Sequence, residues 1–271
     1  MTGVPPFTLP RSTLDATQTV VQDDWPGSQR TSQLTIFCDL DGPLIDVSQR
    51  YYKTYQLALA ETQAYIQAQG EALSLIPLSL DQFWSMKQSK RPDIEIAHLS
   101  GLSDNYIDFF MQQVQAIVNQ PLLLHEDRLQ PGVHEALEQL LNQGAQLAVV
   151  TLRCQSQVDQ VLHQHHLTRY FRLIRGTDDA QAAYKNYAVC KQALIQDAIN
   201  AMGLTNHQQI WMIGDTEADV LAAQAMKIKT VALTCGMRNY AFLSSLRPTS
   251  IQSNLPTATQ LICNLAVASQ S

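Results

Sequence analysis

The sequence predicts an α/β fold, a parallel sheet flanked by helices, with an all-helical unit inserted early in the chain. Three observations lead there. Apolar runs of strand length recur along the 271 residues, helix-like stretches alternate with them, and one long interval breaks the alternation.

The first run, LTIFCDLDG from Leu34, ends in two acids and a glycine, so a buried strand delivers polar residues to a turn. Four more runs follow: QLAVVT at 146–151, FRLIRG at 171–176, QIWMIGD at 209–215 and KTVALT at 229–234. Helix-like stretches lie at 133–142, 155–166, 186–202 and 218–226. Functional residues of a parallel sheet gather at the C-terminal strand ends, where Asp39, Thr151 and Asp215 fall.

The interval between Asp46 and Pro131 contains no convincing core strand. It offers helix-like pieces at 50–69, 80–89 and 105–119 instead. A whole βαβ unit takes about 30 residues, so this interval is too long for a crossover. It is read as an inserted helical cap over 48–126, placed where a lid over an active site would be. The core then comprises 33–47 and 127–271. Residues 1–32, with Pro5, Pro6, Pro10, Pro26, Gly27 and many Ser, Thr and Gln, are read as a poorly ordered extension.

Hydrophobic residues make up 45% of the chain, enough for a full core, and the formal net charge is −6. That balance argues against nucleic acid as the main partner, because phosphate backbones require clustered Lys and Arg. A small anionic substrate is compatible with it. No apolar run is long enough to span a bilayer, and the N-terminus has no signal-like apolar stretch, so no membrane partner is expected. The five cysteines, Cys38, Cys154, Cys190, Cys235 and Cys263, form no CxxC pair and read as reduced thiols of a cytoplasmic protein. Oligomeric state, monomer or homodimer, is left open.

Four motifs carry the chemistry. In Asp39-Leu40-Asp41-Gly42, residues two apart on an extended segment point the same way, so two carboxylates face one small volume. Their repulsion calls for a cation between them or a proton on one. Both occur in metal-assisted phosphoryl transfer, although a strand with an acidic turn has the same pattern. Gly214-Asp215-Thr216-Glu217-Ala218-Asp219 follows another apolar strand. Its acids suit Mg²⁺, and they also suit helix capping. Thr151 ends a third strand and could hold a phosphate oxygen or cap the next helix. Lys191 could neutralise a phosphate or lie on the surface, with Lys185 the alternative lysine.

Taken in order, strand-DxD, strand-Thr, helix-Lys and strand-GDxxxD resemble the haloacid dehalogenase superfamily over about residues 34–265. Pro131-Gly132-Val133, Leu137, Leu140, Gly144 and the VVT of 149–151 are similar to its approach to the second motif, and Gly203 follows Lys191 at its characteristic spacing. The resemblance implies a Rossmann-like core and a helical cap like that of phosphoglycolate-phosphatase-like members. It implies a Mg²⁺-dependent phosphatase acting on a small phosphorylated metabolite through an aspartyl-phosphate. Asp39 would be the nucleophile and Asp41 the acid and base. Mg²⁺ would be held by Asp39, the Asp41 carbonyl and Asp215, with Asp219 in support. Gly42, Thr151, Leu152, Arg153 and Lys191 would surround the phosphate.

Two positions depart from the pattern, Pro43 and the pair Leu152-Arg153. Asp41 argues for phosphate chemistry over dehalogenation. A phosphosugar mutase and a catalytically silent binding protein remain the alternatives. Lys87, Lys90 and Arg91 form a basic cluster, read as a solvated helix face with substrate contact as the rival. His163, His165 and His166 read as a polar helix end.

Overall fold

The computed structural model describes residues 34–179, 182–185 and 187–268. The expected N-terminal extension and the side chain of Lys185 lie outside the described residues.

Six parallel strands form one sheet in the order β5-β4-β1-β6-β7-β8. They are β1 (Thr35–Cys38), β4 (Gln146–Cys154), β5 (Leu173–Thr177), β6 (Ile210–Gly214), β7 (Lys229–Leu233) and β8 (Ser250–Gln252). Every residue of β1 and β6 is buried, as expected of central strands covered on both faces. Strand order reverses at β1: the chain runs outward through β4 and β5, then returns through β6 on the other side. That switch point opens a crevice beyond the C-terminal ends of β4, β1 and β6.

Helices α5 (Val133–Asn142), α6 (Gln155–Gln164), α7 (Ala182–Lys185), α8 (Ala188–Ala201), α9 (Glu217–Ala225), α10 (Tyr240–Ser245) and α11 (Leu255–Ala268) flank the sheet. One core layer joins Phe37, Ala148 and Met212 of the strands to Ile195 and Ile199 of α8 and Ala222 of α9. The opposite layer joins Ile36, Val149 and Ile213 to Leu137 and Leu140 of α5 and Ile262 of α11.

The inserted helices are α1 (Ser48–Ala68), α2 (Leu80–Gln88), α3 (Asp93–Leu99) and α4 (Ile107–Ile117). Apolar faces of α1 and α4 meet through Ala58, Leu59, Ile66, Phe110, Val114 and Ile117, while Phe83 of α2 stacks on Tyr55 with ring centroids 4.9 Å apart. Helix α3 was not foreseen. It has only seven residues with two buried, Ile96 and Ala97, too short for a periodic signal. The two chain crossings into and out of the insertion pair with each other: β2 (Ile45–Asp46) runs antiparallel to β3 (Arg128–Leu129). All five cysteines are free. Among the described residues, no helix is long and apolar enough to cross a membrane.

Candidate active site

Strand β1 ends at Cys38, and the Asp39 amide still donates to the Ile213 carbonyl of β6 at 2.9 Å. The carboxylate of Asp39 is thereby held at the switch point. Its Oδ1 accepts the Leu40 amide at 2.8 Å and lies 3.0 Å from Lys191 Nζ. The next residues fold back at once, with Leu44 and Ile45 amides donating to the Leu40 carbonyl and Gly42 donating to Ile45. Pro43 sits in this turn between Gly42 and Leu44, whose amides with that of Ile45 make the bonds of the turn, so its missing N–H removes none of them.

Asp215, immediately after β6, is buried between two glycine backbones. A Cβ at Gly42, which has φ +93°, or at Gly236 would overlap its carboxylate. Oδ2 of Asp215 accepts the Met237 amide at 2.5 Å, while its Oδ1 is buried with no hydrogen-bond partner. Asp219 caps α9: its Oδ2 accepts the Thr216 hydroxyl at 2.8 Å, the Thr216 amide at 3.1 Å and the Asp215 amide at 3.2 Å. Oxygens of Asp39, Asp215 and Asp219 lie within 4.8 Å of one another. Three hard, buried oxygen donors with one partnerless atom fit a divalent cation.

Lys191, on the first turn of α8, has no exposed surface and places Nζ 2.7 Å from Asp219 and 3.0 Å from Asp39. Burial works to lower its pKa, and these two carboxylates more than reverse that, so the ammonium form persists. Burial drives the Asp39 carboxyl up to about 7. Lys191 and a hydrogen bond from Thr151 oppose the rise, and Asp219 and Asp41 add to it. Burial also pushes Asp215 well above the usual carboxylate range, with Asp219 and Asp39 adding to it.

Strand β4 was expected to end at Thr151 but runs on to Cys154. Val150 pairs with Arg175 and Cys154 with Thr177, so four residues of β4 advance against two of β5. This irregularity holds Thr151, Leu152 and Arg153, and such distortions re-aim side chains beside active sites. Helix α6 begins only at Gln155, so Thr151 is not its cap.

Arg153 is buried. Its Nη1 donates to Asp41 at 2.8 Å and its Nη2 to Asp127 at 2.6 Å. Arg50, from the first turn of α1, mirrors it: Nη2 reaches the other Asp41 oxygen at 3.0 Å and Nε reaches Asp127 at 2.7 Å. Two guanidiniums and two carboxylates thus close a ring across the insertion and the core. Burial alone would raise the Asp41 pKa, and Arg153 and then Arg50 reverse that to leave it below its ordinary value. Sequence reasoning flagged Arg153 but missed Arg50 and Asp127, which lie 77 residues apart and carry no local motif.

A second contact joins α2 to the core. Gln88 Nε2 donates to the Gly236 carbonyl at 2.9 Å, and the Asn239 amide donates to the Gln88 carbonyl at 2.9 Å. Lys90 lies 2.8 Å from Glu217, whose carboxylate also receives Arg238 Nε at 2.8 Å. Burial raises the Glu217 pKa, and Arg238 with Lys90 bring it down to about 2. Between the two contacts lies a cavity of 230 Å³ with Asp39, Asp41, Thr151, Arg153 and Asp215 on its core side and Tyr51, Lys87, Asp93 and Met111 on the inserted side. The basic cluster is therefore split: Lys87 faces the cavity, Lys90 meets Glu217, and Arg91 is exposed beside Glu95.

The family model described as haloacid dehalogenase-like hydrolase matches residues 36–233. A phosphoglycolate phosphatase of Aliivibrio fischeri is 32% identical over 120 residues, 44% of this chain and 50% of that protein, so the chain spans about half its length. A pyrophosphatase PpaX of Bacillus mycoides is 20% identical over 79% of this chain and 89% of that protein. A solved structure of a HAD-superfamily hydrolase, subfamily IA, from Geobacter sulfurreducens superposes with a TM-score of 0.58 at 19% identity. It covers 86% of this chain and 99% of that one, a likeness of fold. With nearly the whole sheet inside the matched region, from β1 through β7, the chain belongs to the haloacid dehalogenase-like hydrolase family.

Proposed function

We propose that the protein is a Mg²⁺-dependent phosphatase that hydrolyses a small phosphomonoester through an aspartyl-phosphate on Asp39. The observation that carries this reading is Asp39 itself, a buried carboxylate at the switch point, facing a cavity with Lys191, Thr151 and an acid cluster around it.

Asp39 attacks phosphorus through a carboxylate oxygen, and the bond from phosphorus to the leaving oxygen breaks. Asp41 relays to the leaving oxygen the proton that a monoanionic phosphomonoester brings with it, then takes one from the water that attacks the aspartyl-phosphate, which regenerates Asp39. The ion pairs of Asp41 favour its carboxylate form, the one that accepts a proton from water. Lys191 and the Thr151 hydroxyl face phosphate oxygens, with Gly42, Leu152 and Arg153 completing the wall. Mg²⁺ would be held by Asp39, the Asp41 carbonyl and Asp215. Asp219 supports them, since its oxygens already serve Thr216, the Asp215 amide and Lys191. When bound, the ion neutralises charge that develops on the phosphoryl oxygens. The inserted helices act as a cap that excludes water. A cytoplasmic location accords with five free thiols.

Phosphate release from 4-nitrophenyl phosphate, with and without Mg²⁺, tests the reading. Mg²⁺-dependent turnover that falls at least about a thousandfold in Asp39→Asn is expected. Undiminished activity in that variant overturns the mechanism.

A further inference from the structure

The segment that follows β7 touches the cation-binding acids on one side and the inserted helices on the other. Gly236 lies against the Asp215 carboxylate, where a Cβ would overlap it, and the Met237 amide donates to Asp215 Oδ2 at 2.5 Å. Facing the other way, the Gly236 carbonyl accepts Gln88 Nε2 at 2.9 Å. That N–H and that C=O belong to one peptide unit, the one joining Gly236 to Met237. A trans peptide is planar, with its N–H and C=O on opposite edges, so one edge does not tilt without moving the other. A single rigid plane is therefore held by Asp215 of the core and by Gln88, the last residue of α2.

Asp215 has little other freedom. The Gly42 backbone closes its opposite side, Oδ2 is taken by Met237, and Oδ1, which has no hydrogen-bond partner, is the atom that faces a cation. A ligating carboxylate serves best when an outer partner fixes its orientation before the ion arrives. The bond to a carboxylate also polarises the peptide and strengthens its carbonyl as an acceptor for Gln88. Helix α2 is seated on the same segment by its main chain: the Asn239 amide donates to the Gln88 carbonyl at 2.9 Å and Arg238 Nη1 to the Lys87 carbonyl at 3.2 Å. Because Phe83 stacks on Tyr55 of α1, what seats α2 seats the insertion.

We infer that Gln88 is a positioning residue for the cation site: through the Gly236–Met237 peptide it fixes the Asp215 carboxylate, so that cation binding and seating of the inserted helices on the core favour each other. This deepens the Mg²⁺ reading and rests on it. Linkage makes the effect reciprocal. A side chain of the insertion, outside the acid cluster, tunes the affinity for the ion, and the ion in turn tightens the insertion.

Two measurements on the full chain test it, with Mg²⁺ as the probe. Calorimetric titration reads the affinity. Hydrogen exchange at the Asn239 amide reads the seating, because that amide donates to Gln88. In the wild-type protein, saturating Mg²⁺ is expected to slow exchange at Asn239 at least about fivefold, the lower end of usual coupling between sites. Gln88→Met keeps the helix and the main-chain acceptor but removes the side-chain donor. It is expected to weaken Mg²⁺ binding at least about fivefold and to abolish the slowing at Asn239. Ser89→Ala removes a neighbouring bond, from Asn239 Nδ2 at 3.0 Å, that does not reach the peptide plane, and should leave the affinity within about twofold. Exchange at Asn239 that ignores Mg²⁺ in the wild type overturns the inference, and that result needs no variant to fold. Unchanged affinity in Gln88→Met with a wild-type melting temperature overturns it too, as does an equal loss in Ser89→Ala, which marks a general loosening of the contact. A wild-type chain that binds no Mg²⁺ defeats the metal reading itself, whereas binding without a response at Asn239 defeats the inference alone.

Discussion

Two acid-rich regions meet at the mouth of the sheet, and their charge balance differs. On one side Asp39 and Asp219 share Lys191, and Asp215 beside them has no ion pair among the described residues. On the other side Asp41 and Asp127 are matched by Arg50 and Arg153 in a closed ring. Burial, with the neighbouring carboxylates adding to it, raises the pKa of Asp39 and Asp215 in the first region and suits it to take up a cation. The second is neutral and saturated, so it serves to hold Asp41 and to tie the insertion to the core. Close-packed acids therefore do different work depending on whether the fold supplies their counter-charges.

If that contrast is right, removing an acid should have opposite consequences on the two sides. The largest effect is expected from Asp127→Ala, which leaves two buried guanidiniums with one carboxylate between them. It should cost about 3–5 kcal/mol of stability, the usual penalty for breaking a buried pair. Chemical denaturation measures it, and a change below about 1 kcal/mol would show that water already compensates the ring. Asp215→Asn should do the reverse. Without metal it relieves repulsion and should raise stability by about 1 kcal/mol, while abolishing any rise in melting temperature on adding Mg²⁺.

The pH dependence sharpens the same point. In the metal-free protein Asp39 keeps its proton up to about pH 7, whereas in the unfolded chain it releases it near its ordinary value of 3.8. Between those values the folded state binds more protons, so this group's contribution makes stability fall as pH rises through the window. Asp39→Asn should remove that part of the slope. Mg²⁺ should stabilise the protein more at pH 8 than at pH 5.5, because its ligands must be deprotonated. The smallest effect is expected at the α2 contact. Lys90 is half exposed, so Lys90→Met should cost no more than about 1 kcal/mol, and a larger loss would make that contact a true latch.

The first region was legible in the sequence and the second was not, for a physical reason. Asp39 and Asp215 directly follow apolar strands and Thr151 lies in the last residues of another, and a parallel sheet brings such ends together regardless of loop detail. Lys191 was legible through the order of motifs, since it precedes the Asp215 strand on its own helix. Arg50 and Asp127 sit in segments with no strand end, glycine turn or paired spacing to single them out. They meet because the β2–β3 ribbon brings the two crossings of the insertion side by side. Arg153 lay between these cases: its place after Thr151 was visible, but its burial depends on the irregularity in β4 and on partners from elsewhere.

By itself the sequence determined the alternation of strands and helices, the break in that rhythm after Asp46, and the acids at the ends of two strands. Those features follow from local periodicity and from which residues tolerate burial, so a linear reading reaches them. Only the tertiary structure decided which acids are balanced and which are not. That balance depends on cations delivered from far along the chain, as Arg50 and Arg153 are to Asp127. Charges in a buried site act through distance and desolvation, and neither is written in the order of the residues.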